Sequence, residues 1–253
     1  MAPAPAIPYN DAWLRPVPSM KLSIIIPVYN EAQTINEVVE RVWAVDLGDI
    51  EKEVILADDG SSDGTRQIIE SSRWIADPRV RSYTSPINLG KGAAVRLGLK
   101  MATGDIVLVQ DADLELDPQE YGALIAPILE GRTRVVYGSR FLRTRSTIPF
   151  RTRFVNRSLT LFTNILFGGR LTDMETAYKV FRREVIQAVR LRCVGFDFEP
   201  EITAKLLLAR EPIVEVPIAY HPRRADEGKK IRWTDGVDAV YVLCKCRLTG
   251  GRY

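Results

Sequence analysis

Four carboxylates stand at alternate positions in the stretch VLVQDADLELDP: Asp111, Asp113, Glu115 and Asp117. They follow directly on an apolar run. A strand that leaves a core through this much negative charge needs a cation, or water, to spread it. Carboxylate oxygens suit a hard divalent cation such as Mg2+ or Mn2+, which can bridge protein acids and a diphosphate. Asp111 and Asp113 lie two apart at the strand end, so both reach one centre once the chain bends. A solvated acidic loop is the competing reading of such a D-x-D taken alone. A second acidic group, Asp58-Asp59-Gly60, closes another apolar run, where an Asx-type turn competes with ligand binding. The third chemical feature is basic: Arg140 to Arg157 is rich in arginine and holds no acid. The planar guanidinium fork offers paired donors to phosphate; a solvated basic face is the plainer account.

The elements that must position these residues can be read from periodicity. Apolar runs at Leu22 to Val28, Val54 to Ala57, Val80 to Thr84, Asp105 to Gln110, Arg134 to Gly138 and Ile213 to Ile218 read as strands. Helical spacing separates them: Ile35, Val38, Val39, Val42 and Trp43; a helix opening at Asp63 as N-cap; Ala93 to Met101; and Leu124 to Leu129. Alternation of this kind predicts an α/β fold, a Rossmann-like, mostly parallel sheet flanked by helices. Ligands then bind outside the carboxyl ends of the strands, where both acidic groups fall.

Composition narrows the class. The 253 residues suit one large domain with appendages, and an apolar share of 46% supports a packed core. A net charge of +3 does not suggest nucleic-acid binding. Cys193, Cys244 and Cys246 form neither a disulfide framework nor a zinc spacing, which reads as a reducing cytosol. His221 is the single histidine, so a His-rich metal site is excluded. No apolar run is long enough to span a bilayer. The turn after the first strand, PVYNEA, contains no glycine, so neither a G-x-G-x-x-G turn nor a P-loop is present.

Seven segments occur in one order: SIIIPVYNEAQTI, ADDGSSDGT, NLGKGAAVRLGL, DADLELDP, GSRF, TDMETAYKVFRREV and FEPEITAKL followed by IVEVPIAY. Together they resemble a family 2 glycosyltransferase of the GT-A fold, in the branch of polyprenyl (dolichyl) phosphate sugar synthases related to dolichol-phosphate mannosyltransferase. The likeness covers Lys21 to Trp233. It implies inverting, metal-dependent transfer of a hexose from a nucleotide sugar, of the GDP-mannose or UDP-glucose type, to a polyprenyl phosphate. It assigns the nucleotide to Pro27, Tyr29, Glu31, Asp58, Asp59, Asn88, Gly90, Lys91 and Asp111. The metal, Mg2+ or Mn2+, falls to Asp111, Asp113 and Glu115, with Glu115 standing where relatives commonly have Gln. Arg140 falls on the arginine that meets the acceptor phosphate, with Arg153 and Asn156 in the following region. Asp111, Asp113 and Arg140 thus form the expected catalytic set.

A phosphate acceptor is largely dianionic at neutral pH and attacks without a base. A hydroxyl acceptor would need one, for which Asp173, Glu175, Asp197, Glu199 and Glu201 are candidates; these acids could equally hold the acceptor pocket together. A nucleotide-sugar binding protein without turnover is the remaining alternative. Phe154, Val155, Leu159, Phe162, Ile165 and Leu166 fit one helical face beside Arg151, Arg153 and Arg157, and suit either a bilayer interface or a core helix. Val237, Val240, Tyr241, Cys244 and Leu248 form a second such face. The expected organisation is a loose arm over 1–20, a catalytic domain over 21–233 and an amphipathic C-terminal tail over 234–253. The expected location is the cytoplasmic face of the membrane, held peripherally. His221 to Lys230 is expected to form a lid, with Arg223, Lys229 and Lys230 on the phosphates.

Overall fold

The computed structural model describes residues 20–143, 148–222 and 233–252. The expected lid residues Arg223, Lys229 and Lys230 lie outside them, as does the expected N-terminal arm except for Met20. Seven strands form one sheet in the order β3-β2-β1-β4-β6-β5-β7. They are β1 (Lys21–Val28), β2 (Glu51–Asp58), β3 (Val80–Thr84), β4 (Ile106–Val109), β5 (Val135–Ser139), β6 (Lys179–Arg182) and β7 (Ile213–Pro217). Among the described residues eight α-helices accompany them: α1 (Ile35–Ala44), α2 (Thr65–Ser71), α3 (Lys91–Met101), α4 (Tyr121–Leu129), α5 (Phe150–Phe167), α6 (Arg183–Ala188), α7 (Phe198–Leu208) and α8 (Trp233–Thr249).

The central stretches of β1, β2, β4 and β5 are apolar and buried because the sheet is covered on both faces. Leu22, Ile24, Ile26, Ile106 and Leu108 enter one core with Val38, Val42, Leu124 and Ile128. Ile25, Val107 and Val109 enter the other with Val95, Ile202, Leu206 and Leu243. The period of two along a strand sends neighbours to opposite faces.

All strand pairs are parallel except those of β6, which runs antiparallel to both β4 and β5. The sequence pattern did not reveal β6. Its four residues, KVFR, run straight into α6 with no turn residue between, and so short an apolar run is ambiguous. The reversal has a consequence for the site. Lys179, the first residue of β6, pairs with Val109 and Tyr137 near the last residues of β4 and β5. The segment TDMET before it therefore arrives at the same edge as Asp111 and Arg140.

Two local expectations need correction. Asp63 is not the N-cap of α2; Gly64 holds that position at φ 96°. The Asp63 carboxylate instead accepts from the amides of Thr65 and, across to the first turn, Ala32. The expected apolar face of α5 is divided. Leu159 is buried, and Phe162 and Leu166 pack on the second core, while Phe154 and Ile165 are 66% and 72% exposed. Ala239, Val242, Leu243 and Cys246 of α8 are buried in that same core, whereas Val237, Tyr241 and Leu248 point outward.

Candidate functional site

The carboxyl ends of β1 and β2 are knitted together by polar groups. Asn30 turns with φ 51°, its amide donates to Ser61 Oγ, and its Oδ1 accepts from the Ser62 amide. The Glu31 amide donates to Thr65 Oγ1, and its carboxylate accepts from Thr34 Oγ1 at 2.8 Å. Pro27 is partly exposed on β1, and Tyr29 opens the turn.

The two neighbouring aspartates differ in what they do. Asp59 is spent on the backbone: its oxygens accept from the Leu89 amide at 2.9 Å and the Gly90 amide at 2.6 Å. Burial raises its pKa against those two bonds. Asp58 accepts from Ser61 through Oδ1, while its enclosed Oδ2 has no hydrogen-bond partner among the described residues. Both aspartates are expected nucleoside ligands; of the two, Asp58 keeps a carboxylate oxygen that no described residue bonds.

Asn88 is exposed on the loop that Asp59 holds. The backbone itself requires a glycine at Gly90. Its φ is 107°, and a Cβ would sit 2.5 Å from the Val194 carbonyl oxygen. The first amides of α3 are likewise occupied: Gly92 and Ala93 donate to the Gly195 and Val194 carbonyls at 2.9 and 3.0 Å.

Lys91 joins the acidic stretch to α7. Its ammonium lies 2.9 Å from Asp111 Oδ1 and 2.9 Å from Glu199 Oε1. Burial opposes its charge, but the two carboxylates outweigh burial and raise its pKa. The three expected metal ligands are not gathered around one point. β4 ends at Val109, and Leu114 at φ 62° turns the chain, so strand alternation does not continue through Glu115. Asp113 Oδ1 accepts from the Glu115 amide, and Glu115 Oε2 accepts from the Tyr220 hydroxyl at 2.9 Å. Among the described residues no group of three His, Cys, Asp or Glu side chains could enclose an ion. Hard cations that keep water and substrate phosphates as ligands need only one or two protein carboxylates. Asp111, already paired with an ammonium, and Asp113 beside it fit that smaller role. Asp117 caps the turn before Pro118 by accepting from the Gln119 amide.

Arg140 follows β5 at the same edge. Its Nε and Nη2 donate to Asp173 Oδ2 and Oδ1 at 2.7 and 2.8 Å, and its own amide donates to Asp173 Oδ2. The guanidinium lies 5.3 Å from the centre of the Tyr220 ring. Burial works against this charge and Asp173 more than offsets it, so the pKa of Arg140 is raised. Arg153 and Asn156 are not bonded into this pair. Arg153 lines a groove of about 250 Å³ on the outer side of α5, with Phe150, Phe154, Arg157, Ser158 and Leu161.

The candidate bases sort by their partners. Asp173 belongs to Arg140 and Glu199 to Lys91. Asp197 accepts from the amides of Val194 and Gly195. Glu201 accepts from the amides of Arg192 and Cys193 and from the Lys205 ammonium. Glu175 is different: it is half-buried, and its enclosed Oε1 has no hydrogen-bond partner among the described residues. Burial and Glu199 push its pKa up to about 7, against the pull of Lys179 and Arg140.

The sequence reading missed several supporting residues. Lys179 is fully buried, donates to the Met174 carbonyl at 2.9 Å and to the Thr176 carbonyl, and sits 4.6 Å from the centre of the Tyr137 ring. Glu215 on β7 accepts from the amides of Thr172 and Asp173. Gln110 Oε1 accepts from both Tyr121 and Tyr178 at 2.7 Å. A lysine inside the apolar run YKVF was the available signal, because a lysine is rarely buried unless paired.

Comparison with known proteins bears on this arrangement. Residues 23–190 match the family model "Glycosyl transferase family 2". The chain is similar to the undecaprenyl-phosphate 4-deoxy-4-formamido-L-arabinose transferase of Proteus mirabilis, with 31% identity over 90% of this chain and 68% of that protein. The protein of the same description from Salmonella dublin is 29% identical over 92% of this chain and 69% of its own length. Among solved structures, glucosyl-3-phosphoglycerate synthase from Mycobacterium tuberculosis, in complex with Mn2+, UDP-glucose and phosphoglyceric acid, superposes with a TM-score of 0.69. That alignment covers 90% of this chain and 80% of the other at 22% identity.

Proposed function

Since the chain belongs to glycosyl transferase family 2 and has the GT-A fold, we propose that it carries a sugar from a nucleotide sugar to a polyprenyl phosphate with inversion at the anomeric carbon. The observation that carries this reading is the buried Arg140–Asp173 pair on the same sheet edge as Asp111. Asp173 uses Nε and Nη2, which fixes the guanidinium plane and leaves Nη1 for an acceptor phosphate. Almost every other acid at this edge is already committed to an amide or a cation. An acceptor that brings its own anionic oxygen therefore suits the site. The relatives named above act on undecaprenyl phosphate by their description.

Asp111 and Asp113 would hold Mg2+ or Mn2+ together with the donor's phosphates, and the ion would stabilise the departing nucleoside diphosphate as a Lewis acid. Asp58 Oδ2 would accept from the nucleoside, with Pro27, Tyr29 and Glu31 on the neighbouring strand end and turn. Lys91 holds Asp111 in place and can pass to a phosphate oxygen. Tyr220 braces both Glu115 and Arg140.

The lipid part of such an acceptor needs an apolar surface. No helix among the described residues is long and apolar enough to cross a membrane. α5 packs against α8, and together they expose Phe150, Phe154, Leu161, Ile165, Val237, Tyr241 and Leu248. Arg151, Arg153, Arg157, Lys245 and Arg247 accompany that face. This composition suits peripheral attachment to an anionic bilayer.

One observation favours a second reading. Burial and Glu199 push the Glu175 carboxyl up to about 7, and its enclosed Oε1 has no hydrogen-bond partner among the described residues, which suits a general base for a hydroxyl acceptor. A single experiment separates the two. The protein is incubated with labelled GDP-mannose, UDP-glucose, UDP-N-acetylglucosamine or a UDP-linked 4-formamido pentose. Each reaction holds short polyprenyl phosphate, a free polyprenol or a glycan, with Mg2+ or Mn2+. Metal-dependent label in the organic phase with polyprenyl phosphate alone is the expected result. Transfer only to the hydroxyl acceptors, or full transfer in excess chelator, would contradict it.

A further inference from the structure

The residues around Glu175 are all fixed, and Glu175 is not. Asp173 is held by Arg140 and by Glu215. The Met174 amide donates to Thr160 Oγ1 at 3.0 Å, and the carbonyls of Met174 and Thr176 accept from Lys179. The turn is thus rigid, yet the acid at its centre makes no hydrogen bond within the described structure. Leaving a buried acceptor unmatched is costly, and such groups are few in native proteins. The charges that surround it are Glu199, Lys179, Arg140 and Asp173. It stands two residues after Asp173 on the turn that Arg140 holds, and it feels the charge of Glu199, the acid that holds Lys91.

Arg140 and Lys91 bear on the two phosphates of the proposed reaction, the acceptor's and the donor's. A carboxylate would repel either phosphate. The part of the reactants that joins the two phosphates during transfer is the sugar, which is neutral and rich in hydroxyl donors. A carboxylate there can accept from one or two hydroxyls. We infer that Glu175 receives hydroxyl groups of the sugar being transferred, and so selects the donor by its sugar rather than by its nucleotide. This inference rests on the glycosyl-transfer reading above. It also accounts for the unmatched Oε1, for which the described residues supply no partner.

Calorimetric titration tests it. The wild type, Glu175→Ala and Glu175→Gln are titrated with the same four nucleotide sugars and with UDP and GDP, all in Mn2+. For the donor that binds the wild type more tightly than its nucleoside diphosphate, Glu175→Ala should weaken affinity about tenfold, the effect of one hydrogen bond to a charged group. Affinity for the nucleoside diphosphate should not change. The melting temperature of Glu175→Gln should equal or exceed that of the wild type, because the fold itself does not use the acid. Equal loss for sugar nucleotide and diphosphate would overturn the inference. So would a melting temperature several degrees lower. Unchanged affinity with lost turnover would assign Glu175 to proton transfer instead. A wild type that binds the nucleotides but gains nothing from any sugar would sink this inference alone. A wild type that binds no nucleotide would sink the transfer reading with it.

Discussion

Glu53 and Glu175 are acids at opposite edges of one sheet, and their surroundings are opposite too. Glu53 sits near the amino ends of β1 and β2. It accepts from Ser23 Oγ, the Thr103 amide and hydroxyl and the Gly104 amide, and it meets Lys21 and Arg81 at 2.9 Å each. Burial alone would raise its pKa; the bonds from Ser23, Thr103 and Lys21 outweigh that and bring it down to about 2. Glu175, at the carboxyl edge, has none of this and stands at about 7. A saturated buried acid is part of the scaffold. An unsaturated one contributes no such bonds to the scaffold. Asp59 and Asp58 repeat the contrast on adjacent residues, one spent on two amides and the other with an enclosed free oxygen.

The contrast is broken most directly at its saturated end. Glu53→Gln should destabilise the fold by about 3 kcal/mol, the equivalent of a pKa moved from 4.5 to about 2. Lys21 and Arg81 reach solvent, which keeps the loss below that of a fully enclosed pair. Activity per folded molecule should not change. The sign of the pH effect follows from a folded pKa below the unfolded one. This contribution is complete above pH 4.5 and is lost as pH falls from 4.5 towards 2. Urea titrations across that range should show the wild type converging on the variant. Parallel curves would mean that Glu53 is not the group responsible.

Arg140–Asp173 is the intermediate case, a saturated pair within the unsaturated edge. Arg140→Ala would leave Asp173 buried and unpaired, so loss of the fold would hide any effect on the acceptor. Arg140→Lys keeps the charge and loses the paired geometry. It should raise the acceptor KM about tenfold and leave affinity for the nucleoside diphosphate unchanged. A fall in diphosphate affinity of the same size would move Arg140 to the donor side.

The smallest effect is expected on the outer face of α5, a helix where the same contrast appears between apolar side chains. Leu159 and Phe162 are satisfied by the core, whereas Phe154 and Ile165 face outward. Phe154→Glu with Ile165→Glu should lower binding to phosphatidylserine-containing vesicles about fivefold at low salt without lowering the melting temperature. Leu159→Glu should unfold the protein. Vesicle binding that survives the outer pair would remove α5 from the membrane contact.

Much of this was legible in the sequence, and the reasons are local. The β1, β2, β4 and β5 runs could be read because a strand covered on both faces must be apolar throughout. Lys91 was marked by its motif, but its pairing with Asp111 and Glu199 was not. Glu199 is 108 residues away, and it comes within 2.9 Å where the loop before α7 bonds to the first amides of α3. The division of α5 was hidden because its outward side chains are as apolar as its inward ones, so periodicity saw one stripe where the fold makes two faces.

The sequence by itself determined the class of fold, the edge of the sheet that carries the chemistry, and the acids and arginine that reach it. Hydrophobic runs, chain direction and loop composition are properties of neighbours along the chain, and they suffice for that much. Tertiary structure decided which of those acids remain available. The reversal of β6 brings Asp173 and Glu175 to the edge, Asp173 is then consumed by Arg140 and Asp59 by two amides, and Glu175 and Asp58 are left with unmatched oxygens. Saturation is a count of partners in space, and most of those partners are supplied by residues tens of positions away.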